Sequence, residues 1–198
     1  MRILITSFGP FNNFKVNPSN LAMKLLREKM TDFEAQHDLY WRELGVSYDE
    51  VLLFEKEFSG IQLDLVLHLG VATNDSLMRL EIQAKNQRQG KDVNGLDPTT
   101  DSIIENQSDI KTGMNIQILE NICSKHPSIV RISNDAGAYL CNYIYYLSLS
   151  SNLADRNALF IHIADTQNNS KAVSLEDQVL VILDLVNDII SSTGTSKK

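Results

Sequence analysis

Two cysteines in this 198-residue chain could supply a nucleophilic thiol, and they occupy different kinds of position. Cys141 follows an apolar segment and a glycine-containing turn, at the opening of a predicted helix over residues 139–147. Backbone N–H groups and the helix dipole stabilise a thiolate there, and free N–H groups can also stabilise an oxyanion. Cys123 continues an apolar stripe late in another helix, where the dipole disfavours a thiolate. A free cysteine is most often a packing residue, but the position of Cys141 also suits covalent catalysis.

Two histidines are candidates for the base that would activate such a thiol. His162 lies near the carboxyl end of one predicted strand, and His68 lies at the carboxyl end of another. Ligands of open α/β sheets bind outside the carboxyl ends of the strands, so position alone does not distinguish the two. His37 and His126 lie in polar turns, where a structural role is expected.

A carboxylate that could orient the histidine lies in the predicted strand over residues 77–84. Apolar and polar residues alternate in this strand, which places Arg79 and Glu81 together on its polar face. Glu81 could be a solvent-facing carboxylate paired with Arg79, and the pattern alone favours this interpretation. Alternatively, the polar face borders a cleft and Glu81 orients an imidazole as the third member of a triad.

Short apolar runs alternate with segments of helical period along the chain, which is typical of an α/β fold. Strands are predicted at residues 2–7, 39–46, 63–69, 77–84, 129–132 and 159–163. Helices are predicted to begin at Asn17, an N-cap before Pro18, and at Ser47, in a Ser-x-x-Glu capping box, with others at residues 116–123, 139–147 and from 174 onward. The polar stretch over residues 85–110 is expected to hold a hairpin or a mobile flap.

This order predicts one domain over residues 1–191, followed by a disordered tail over residues 192–198. The domain is expected to be a three-layer α/β/α sandwich around a mostly parallel or mixed twisted sheet.

Composition and charge argue against several classes of protein. Apolar residues make up 43% of the chain and charged residues 22%, as in ordinary globular domains. A net charge of −7, with scattered basic residues, disfavours a nucleic-acid partner. Because no apolar run is long enough for a signal-peptide core or a membrane span, we expect a cytoplasmic protein without membrane contact. The cysteines lack metal-ligand spacing and no phosphate-binding glycine motif occurs, so neither a zinc site nor a nucleotide cofactor is expected.

Five separated segments resemble the pyroglutamyl peptidase I family, also called the pyrrolidone carboxyl peptidases. The most specific segment is residues 135–146, which contains Asp-Ala-Gly-x-Tyr-Leu-Cys-Asn around Cys141. The others are residues 3–11 with 16–19, residues 68–72 leading to Glu81, Ala84 and Asn86, residues 160–163, and residues 174–177. Together the five segments span most of the chain in the family's order.

The resemblance implies a cysteine exopeptidase that hydrolyses N-terminal pyroglutamate (5-oxoproline) from peptides through a thioester acyl-enzyme. It implies that Cys141 is the nucleophile, His162 the acid and base, and Glu81 the group that orients the histidine. The pocket for the pyroglutamyl ring is then expected at Phe8, Phe11, Asn17 and Val71. No metal or organic cofactor enters this scheme, and members of the family are commonly homodimers or homotetramers.

Four departures from the family pattern fall around the implied site. Asn12 and Asn13 replace a usual Gly-Gly, Asn74 and Asp75 replace a common Gly-Arg, Lys91 replaces a frequent arginine, and Ala164 stands where proline is frequent. These departures keep two alternatives open. The chain could be a catalytically impaired family member that acts as a binding protein, or a cysteine hydrolase of another small amide or thioester.

Overall fold

A six-stranded mixed sheet forms the centre of the fold in the computed structural model, which describes residues 1–11, 14–58, 60–73, 75–151 and 153–195. The strands are β1 (Arg2–Phe8), β2 (Asp38–Leu44), β3 (Leu65–Ala72), β4 (Met78–Glu81), β5 (Gln83–Ala84), β6 (Ile110–Lys111), β7 (Val130–Ser133) and β8 (Ala158–Ala164). The helices are α1 (Pro18–Lys29), α2 (Thr31–Glu34), α3 (Tyr48–Glu57), α4 (Ile116–Lys125), α5 (Leu140–Ser150) and α6 (Leu175–Thr195).

The strand order across the main sheet is β2-β1-β3-β8-β4-β7. Strand β4 runs antiparallel to β8, whereas the other neighbouring pairs are parallel. In the antiparallel pair, Arg79 lies opposite His162 and Glu81 lies opposite Phe160. Long side chains can also reach diagonal neighbours on the adjacent strand. The register of β4 on β8 therefore brings both Arg79 and Glu81 within reach of His162.

Apolar side chains of the strands alternate between two faces of the sheet, and helices cover both faces. On one face, Ile3 and Ile5 join a buried cluster with residues of α1, α4 and α6. On the other face, Leu4 and Phe160 join buried residues of α3 and α5. The expected three-layer sandwich around a mixed sheet is confirmed. Cys123, on α4, packs against the first of these clusters.

Both predicted helix starts carry the expected N-caps. Asn17 accepts a hydrogen bond of 3.0 Å from Ser19 N at the start of α1, and Pro18 occupies the first turn. Ser47 caps α3 by accepting from Glu50 N at 3.3 Å. The capping box is only half formed, because the Glu50 carboxylate accepts from Gly45 N instead of from Ser47 N.

The predicted strand over residues 77–84 divides into two elements. Strand β4 ends at Glu81, and β5 then pairs antiparallel with β6 as a separate two-stranded ribbon. The segment between them is held by Asn86, whose Oδ1 accepts from the N–H groups of Ile103 and Ile104. The ribbon closes the two ends of the polar stretch over residues 85–110, and the segment between its strands is a loop folded around one asparagine side chain.

The C-terminal helix is longer than expected. Helix α6 continues to Thr195, so it includes the first part of the segment predicted as a tail. Residues 196–198 lie outside the described residues. In the part of the chain that the structure describes, no helix has the length and apolar character needed to cross a membrane.

Candidate active site

Cys141 is the second residue of α5, directly after the turn that leaves β7. Gly137 in this turn has a φ of 82°, a left-handed conformation that glycine adopts without steric cost. Asp135 holds the turn, because its Oδ1 accepts a hydrogen bond of 3.0 Å from Gly137 N. Among the described residues, no side chain caps the helix at its N-cap residue, Tyr139. The first-turn N–H groups beside the thiol are therefore not occupied by a capping side chain.

The thiol of Cys141 packs against the backbone of β3 at Gly70. A Cβ atom on Gly70 would lie 3.0 Å from Cys141 Sγ and 2.5 Å from the Phe160 ring, so only glycine fits there without a shift. Gly70 is also the partner of His162 in the parallel pairing of β3 with β8. The thiol therefore lies beside the strand position that neighbours His162, and both side chains line one cleft.

His162 and Glu81 form a buried hydrogen-bonded pair. Nδ1 of His162 lies 2.7 Å from Oε1 of Glu81, and the two side chains are 5% and 0% exposed. An ionised carboxylate can only accept, and its contact is shorter than the 3.2 Å approach of Arg79 Nη2 to the same nitrogen, so we assign the imidazole proton to Nδ1. Nε2 then carries the lone pair that a general base needs. The Phe160 ring, with its centroid 4.7 Å from that of His162, packs against the imidazole.

Helix α5 also fixes the position of Glu81. The hydroxyl of Tyr145 donates a hydrogen bond of 2.7 Å to the backbone carbonyl of Glu81. Tyr145 lies one turn after Cys141 and is fully buried. One helix therefore carries the candidate nucleophile and anchors the end of the strand that carries the candidate carboxylate.

Burial keeps the thiol and the imidazole neutral at rest. Loss of hydration raises the pKa of Cys141 to about 12, the Glu81 charge acts in the same direction, and Arg79 opposes both. Burial also lowers the pKa of His162, and the Glu81 carboxylate opposes this effect. Cys141 remains partly accessible to solvent. The thiol must therefore pass its proton to a base as it reacts, instead of resting as a thiolate.

Two adjoining cavities meet at Cys141. The larger, of about 440 Å³, is also lined by His162, Arg79 and Asp75. The smaller, of about 30 Å³, is lined in part by all four residues predicted to contact the ring: Phe8, Phe11, Asn17 and Val71. The smaller cavity is mainly apolar, so it suits a small uncharged ring better than a charged group.

The side-chain amide of Asn17 is already engaged within the protein. Its Nδ2 donates to the carbonyl of Gly9 at 3.1 Å, and its Oδ1 accepts from both N and Oγ of Ser19. Asn17 thus ties the loop after β1 to the start of α1 while lining the small cavity. Its clearest role is to hold the wall of this cavity in place.

His68, the other candidate base, is a buried structural residue. Its Nδ1 lies 2.8 Å from Thr6 Oγ1, and its Nε2 lies 2.8 Å from Ser148 Oγ. Burial lowers its pKa to about 3, so it stays neutral at physiological pH. Both ring nitrogens are occupied by hydroxyl groups, so geometry favours His162 over His68 as the base.

The two remaining histidines lie outside the cleft. His37 contacts the N-terminal amine of Met1 at 3.2 Å, and His126 contacts Asp184 at 2.8 Å. Among the described residues, no group of three or more His, Cys, Asp and Glu side chains is arranged to hold a metal ion.

The departures from the family pattern have different structural settings. Asn12, Asn13 and Asn74 lie outside the described residues. The Lys91 carbonyl accepts a hydrogen bond of 3.0 Å from the Tyr139 hydroxyl, an interaction that does not depend on the side chain at position 91. The N–H of Ala164 donates to Gln178 Oε1 at 2.7 Å, a bond that proline could not make.

Sequence reasoning did not identify Asn142 as a positioning residue of the site. This buried amide accepts from Lys85 N and donates to the carbonyls of Lys85 and Gln87, with distances of 2.8, 2.8 and 2.7 Å. It therefore fixes the loop after β5 against the residue that follows Cys141. The available signal was a polar amide inside an otherwise apolar helix, directly beside the candidate nucleophile.

Arg79 is also part of the site. The expectation that pairing with Arg79 would leave Glu81 facing solvent is wrong, because Glu81 is fully buried. Its carboxylate lies 3.0 Å from Arg79 Nε and 2.7 Å from His162 Nδ1. Asp75 adds a second carboxylate, 3.0 Å from Arg79 Nη1.

Comparisons with known proteins identify the family of this chain. A family model described as pyroglutamyl peptidase matches residues 1–171. A pyrrolidone-carboxylate peptidase of Streptococcus pneumoniae (strain 70585) is 30% identical over 170 residues, which cover 82% of this chain and 78% of the relative. One of Thermosipho melanesiensis is 26% identical over 192 residues, with 89% and 92% covered. The crystal structure of the pyrrolidone carboxyl peptidase of Fervidobacterium islandicum AW-1 superposes with a TM-score of 0.82, at 28% identity, covering 96% of this chain and 99% of that one.

Proposed function

The chain belongs to the pyroglutamyl peptidase family, and we propose that Cys141, His162 and Glu81 are the catalytic residues with which it removes N-terminal pyroglutamate from peptides. It is a cysteine peptidase of the pyroglutamyl peptidase I type. The observation that best supports the residue assignment is the buried contact of 2.7 Å between His162 Nδ1 and Glu81 Oε1, in a cleft shared with Cys141.

The first half of the reaction forms a thioester. Nε2 of His162 takes the proton of the Cys141 thiol as Sγ bonds to the carbonyl carbon of the pyroglutamyl group. The carbonyl electrons move to oxygen, and backbone N–H groups at the start of α5 stabilise the oxyanion. When the carbonyl re-forms, the C–N bond breaks and His162 returns its proton to the departing amine.

The second half of the reaction hydrolyses the thioester. Nε2 of His162 takes a proton from water as the water oxygen attacks the thioester carbon. The C–S bond then breaks, free pyroglutamate leaves, and the Cys141 thiolate recovers its proton from His162. Glu81 holds the imidazole in one tautomer through both halves and stabilises its charged form.

The two cavities suit an exopeptidase acting on a cyclic terminus. The pyroglutamyl lactam is small and uncharged, so it matches the apolar lining that Phe8, Phe11 and Val71 give the smaller cavity. The rest of the substrate then lies in the larger cleft beside His162. Neither of the two alternative functions is favoured by the comparisons.

A fluorogenic pyroglutamyl amide tests this function with a matched pair of cysteine variants. Cys141→Ala is expected to lower kcat/KM by more than about 10³-fold, because no other group replaces the nucleophile. Cys123→Ser is the control, since Cys123 packs against the opposite face of the sheet. Retained activity in Cys141→Ala would refute the nucleophile, and an inactive wild-type protein would refute the function.

On the resemblance alone, we also propose a homodimer or homotetramer and a cytoplasmic location. Sedimentation equilibrium tests the assembly, and a monomer at micromolar concentration would contradict it. Cell fractionation tests the location, and recovery of the protein outside the cytoplasmic fraction would contradict that.

A further inference from the structure

Arg79 lies at the centre of a charged cluster behind the candidate base. Its Nη1 lies 3.0 Å from Asp75 Oδ2, and its Nε lies 3.0 Å from Glu81 Oε1. Its Nη2 lies 3.2 Å from Nδ1 of His162. The Arg79 side chain is only 19% exposed. One guanidinium therefore contacts both members of the pair that would activate Cys141, together with a further carboxylate.

The contact between Arg79 and Glu81 is ionic more than hydrogen-bonded, and the approach of Nη2 to His162 sets a positive charge beside a ring nitrogen that already carries a proton. Arg79 Nε and Glu81 Oε2 are both buried without a hydrogen-bond partner among the described residues. The 3.0 Å approach of Nε to Oε1 therefore acts mainly through charge. A buried carboxylate without full hydrogen bonding is costly unless a cation lies close to it. The positive charge of Arg79 offsets this cost for Glu81.

The Asp75 side chain fixes where that cation lies. Its second oxygen accepts from Arg131 Nη2 at 3.1 Å, and its backbone carbonyl accepts from Asn169 Nδ2 at 3.1 Å. Asp75 is thus held between two arginines and a loop amide. Because the guanidinium is a rigid planar fork, anchoring Nη1 on Asp75 also sets the positions of Nε and Nη2.

We propose that Arg79 is a positioning residue of the catalytic site, which holds the Glu81 carboxylate against His162 and keeps the imidazole uncharged until a substrate reacts. This inference rests on the catalytic roles proposed for His162 and Glu81. Arg79 cannot lose its proton in a protein, so it acts as a fixed positive charge beside Nδ1 of His162. Such a charge disfavours a second positive charge on the ring.

The charged groups around His162 act on its pKa in opposite directions. Glu81, from β4, and Asp75, from the segment before β4, both favour a charged imidazole, whereas Arg79 and burial oppose it. On α5, Cys141 is neutral at rest because burial raises the pKa of its thiol. Loss of the Arg79 charge leaves two carboxylates facing His162 without the nearest cation, and the pKa of His162 must rise.

NMR titration of the histidine ring signals tests this inference without requiring turnover. The His162 signal is assigned by its absence from His162→Gln. Arg79→Gln is expected to raise the pKa of His162 by about one unit or more, the lower end of what a neighbouring charge produces. Arg79→Lys keeps the charge and is expected to restore most of the wild-type titration. Arg42→Gln, which removes an arginine paired with Glu57 at the surface, is the control and should not move it.

A second neutral variant repeats the test. Arg79→Met removes the charge and keeps an apolar stem, so the pKa of His162 should rise as in Arg79→Gln. It keeps the inference testable if Arg79→Gln does not fold. An unchanged His162 titration in the folded Arg79→Gln or Arg79→Met protein would overturn the inference.

Activity separates this inference from the proposed function. The acid limb of the kcat/KM profile of Arg79→Gln should move to higher pH together with the NMR titration, and a limb that stays in place would contradict the inference. Loss of the function itself would show as an inactive wild-type protein, whatever the titration of His162.

Discussion

In the proposed mechanism, the reacting side chains are a neutral thiol and a neutral imidazole in a partly closed cleft. Burial raises the pKa of Cys141 and lowers the pKa of His162, so charge separation before substrate binds is unfavourable. Glu81 raises the pKa of His162 and Arg79 lowers it, while burial leaves it below its ordinary value. The site therefore depends on proton transfer during attack, which requires the correct imidazole tautomer more than a preformed thiolate.

Glu81→Gln tests whether the carboxylate selects the tautomer of His162. A glutamine amide can donate to Nδ1 of His162, which would place the imidazole proton on Nε2 and remove the base. We expect kcat/KM with a pyroglutamyl amide to fall by about 10³- to 10⁴-fold, as for the corresponding change in other triads. Thermal unfolding establishes that the variant is folded. Activity within about tenfold of wild type would show that Glu81 does not select the tautomer.

His68 gives a separate prediction for stability against pH. Its folded pKa is lowered to about 3 from an ordinary value of 6.5. As the pH falls, His68 therefore takes up a proton in the unfolded chain before it does so in the folded protein. The unfolding free energy is at its full value above about pH 6.5 and declines as the pH falls from there toward 3. We expect the unfolding free energy of wild type to decline over this window by up to about 1.4 kcal/mol per pH unit from this residue.

The His68→Gln variant is the test of that slope. Denaturant unfolding at several pH values should show a shallower decline for His68→Gln than for wild type between pH 6.5 and 4. Equal slopes for the two proteins would mean that His68 does not remain neutral when buried.

Three secondary-structure elements carry the candidate catalytic residues. Helix α5 supplies Cys141 and anchors β4 through Tyr145, while β8 supplies His162. Strand β4 brings Glu81 through its antiparallel pairing with β8. The close approach of α5 to β3 at Gly70 sets the position of the thiol relative to the sheet.

Gly70→Ala tests this close approach. The added methyl would meet the Phe160 ring at 2.5 Å and Cys141 Sγ at 3.0 Å. We expect a loss of about 1–3 kcal/mol in unfolding free energy, as for other overpacked cores, and a fall in kcat of more than about tenfold from the displaced thiol. Gly45→Ala is the matched control, because its methyl would meet only the movable side chain of Glu50. Unchanged kcat in a folded Gly70→Ala protein would show that this contact does not position Cys141.

Local patterns in the sequence were sufficient for the parts of this site that depend on neighbouring residues. The N-cap at Asn17, the helix start before Cys141 and the polar face that carries Glu81 all follow from short-range chemistry. The antiparallel pairing of β4 with β8 does not, because it joins residues about 80 positions apart and leaves no periodic signal. For the same reason, the choice between His68 and His162 required the fold. Both are expected near the carboxyl ends of apolar strands, but β3 continues to Ala72, which places His68 in the middle of its strand.

In the whole molecule, the site collects residues from five separated segments of the chain at one end of the central strands. The carboxyl ends of β3 and β8 and the start of α5 meet there, as expected for an open α/β sheet. Beside the thiol lie a small apolar cavity and a larger cleft whose lining includes His162, Arg79 and Asp75. Under the proposed function, the cyclic terminus occupies the first and the rest of the peptide the second.

Capture of the acyl-enzyme is the most direct test of Cys141 as the nucleophile. The wild-type protein is mixed with a pyroglutamyl ester, quenched in acid within the first turnover, digested and mapped by mass spectrometry. We expect one pyroglutamyl group attached to the peptide that contains Cys141, and none on the peptide that contains Cys123. A substrate that is hydrolysed with no adduct on Cys141, or with the adduct on another residue, would show that Cys141 is not the nucleophile.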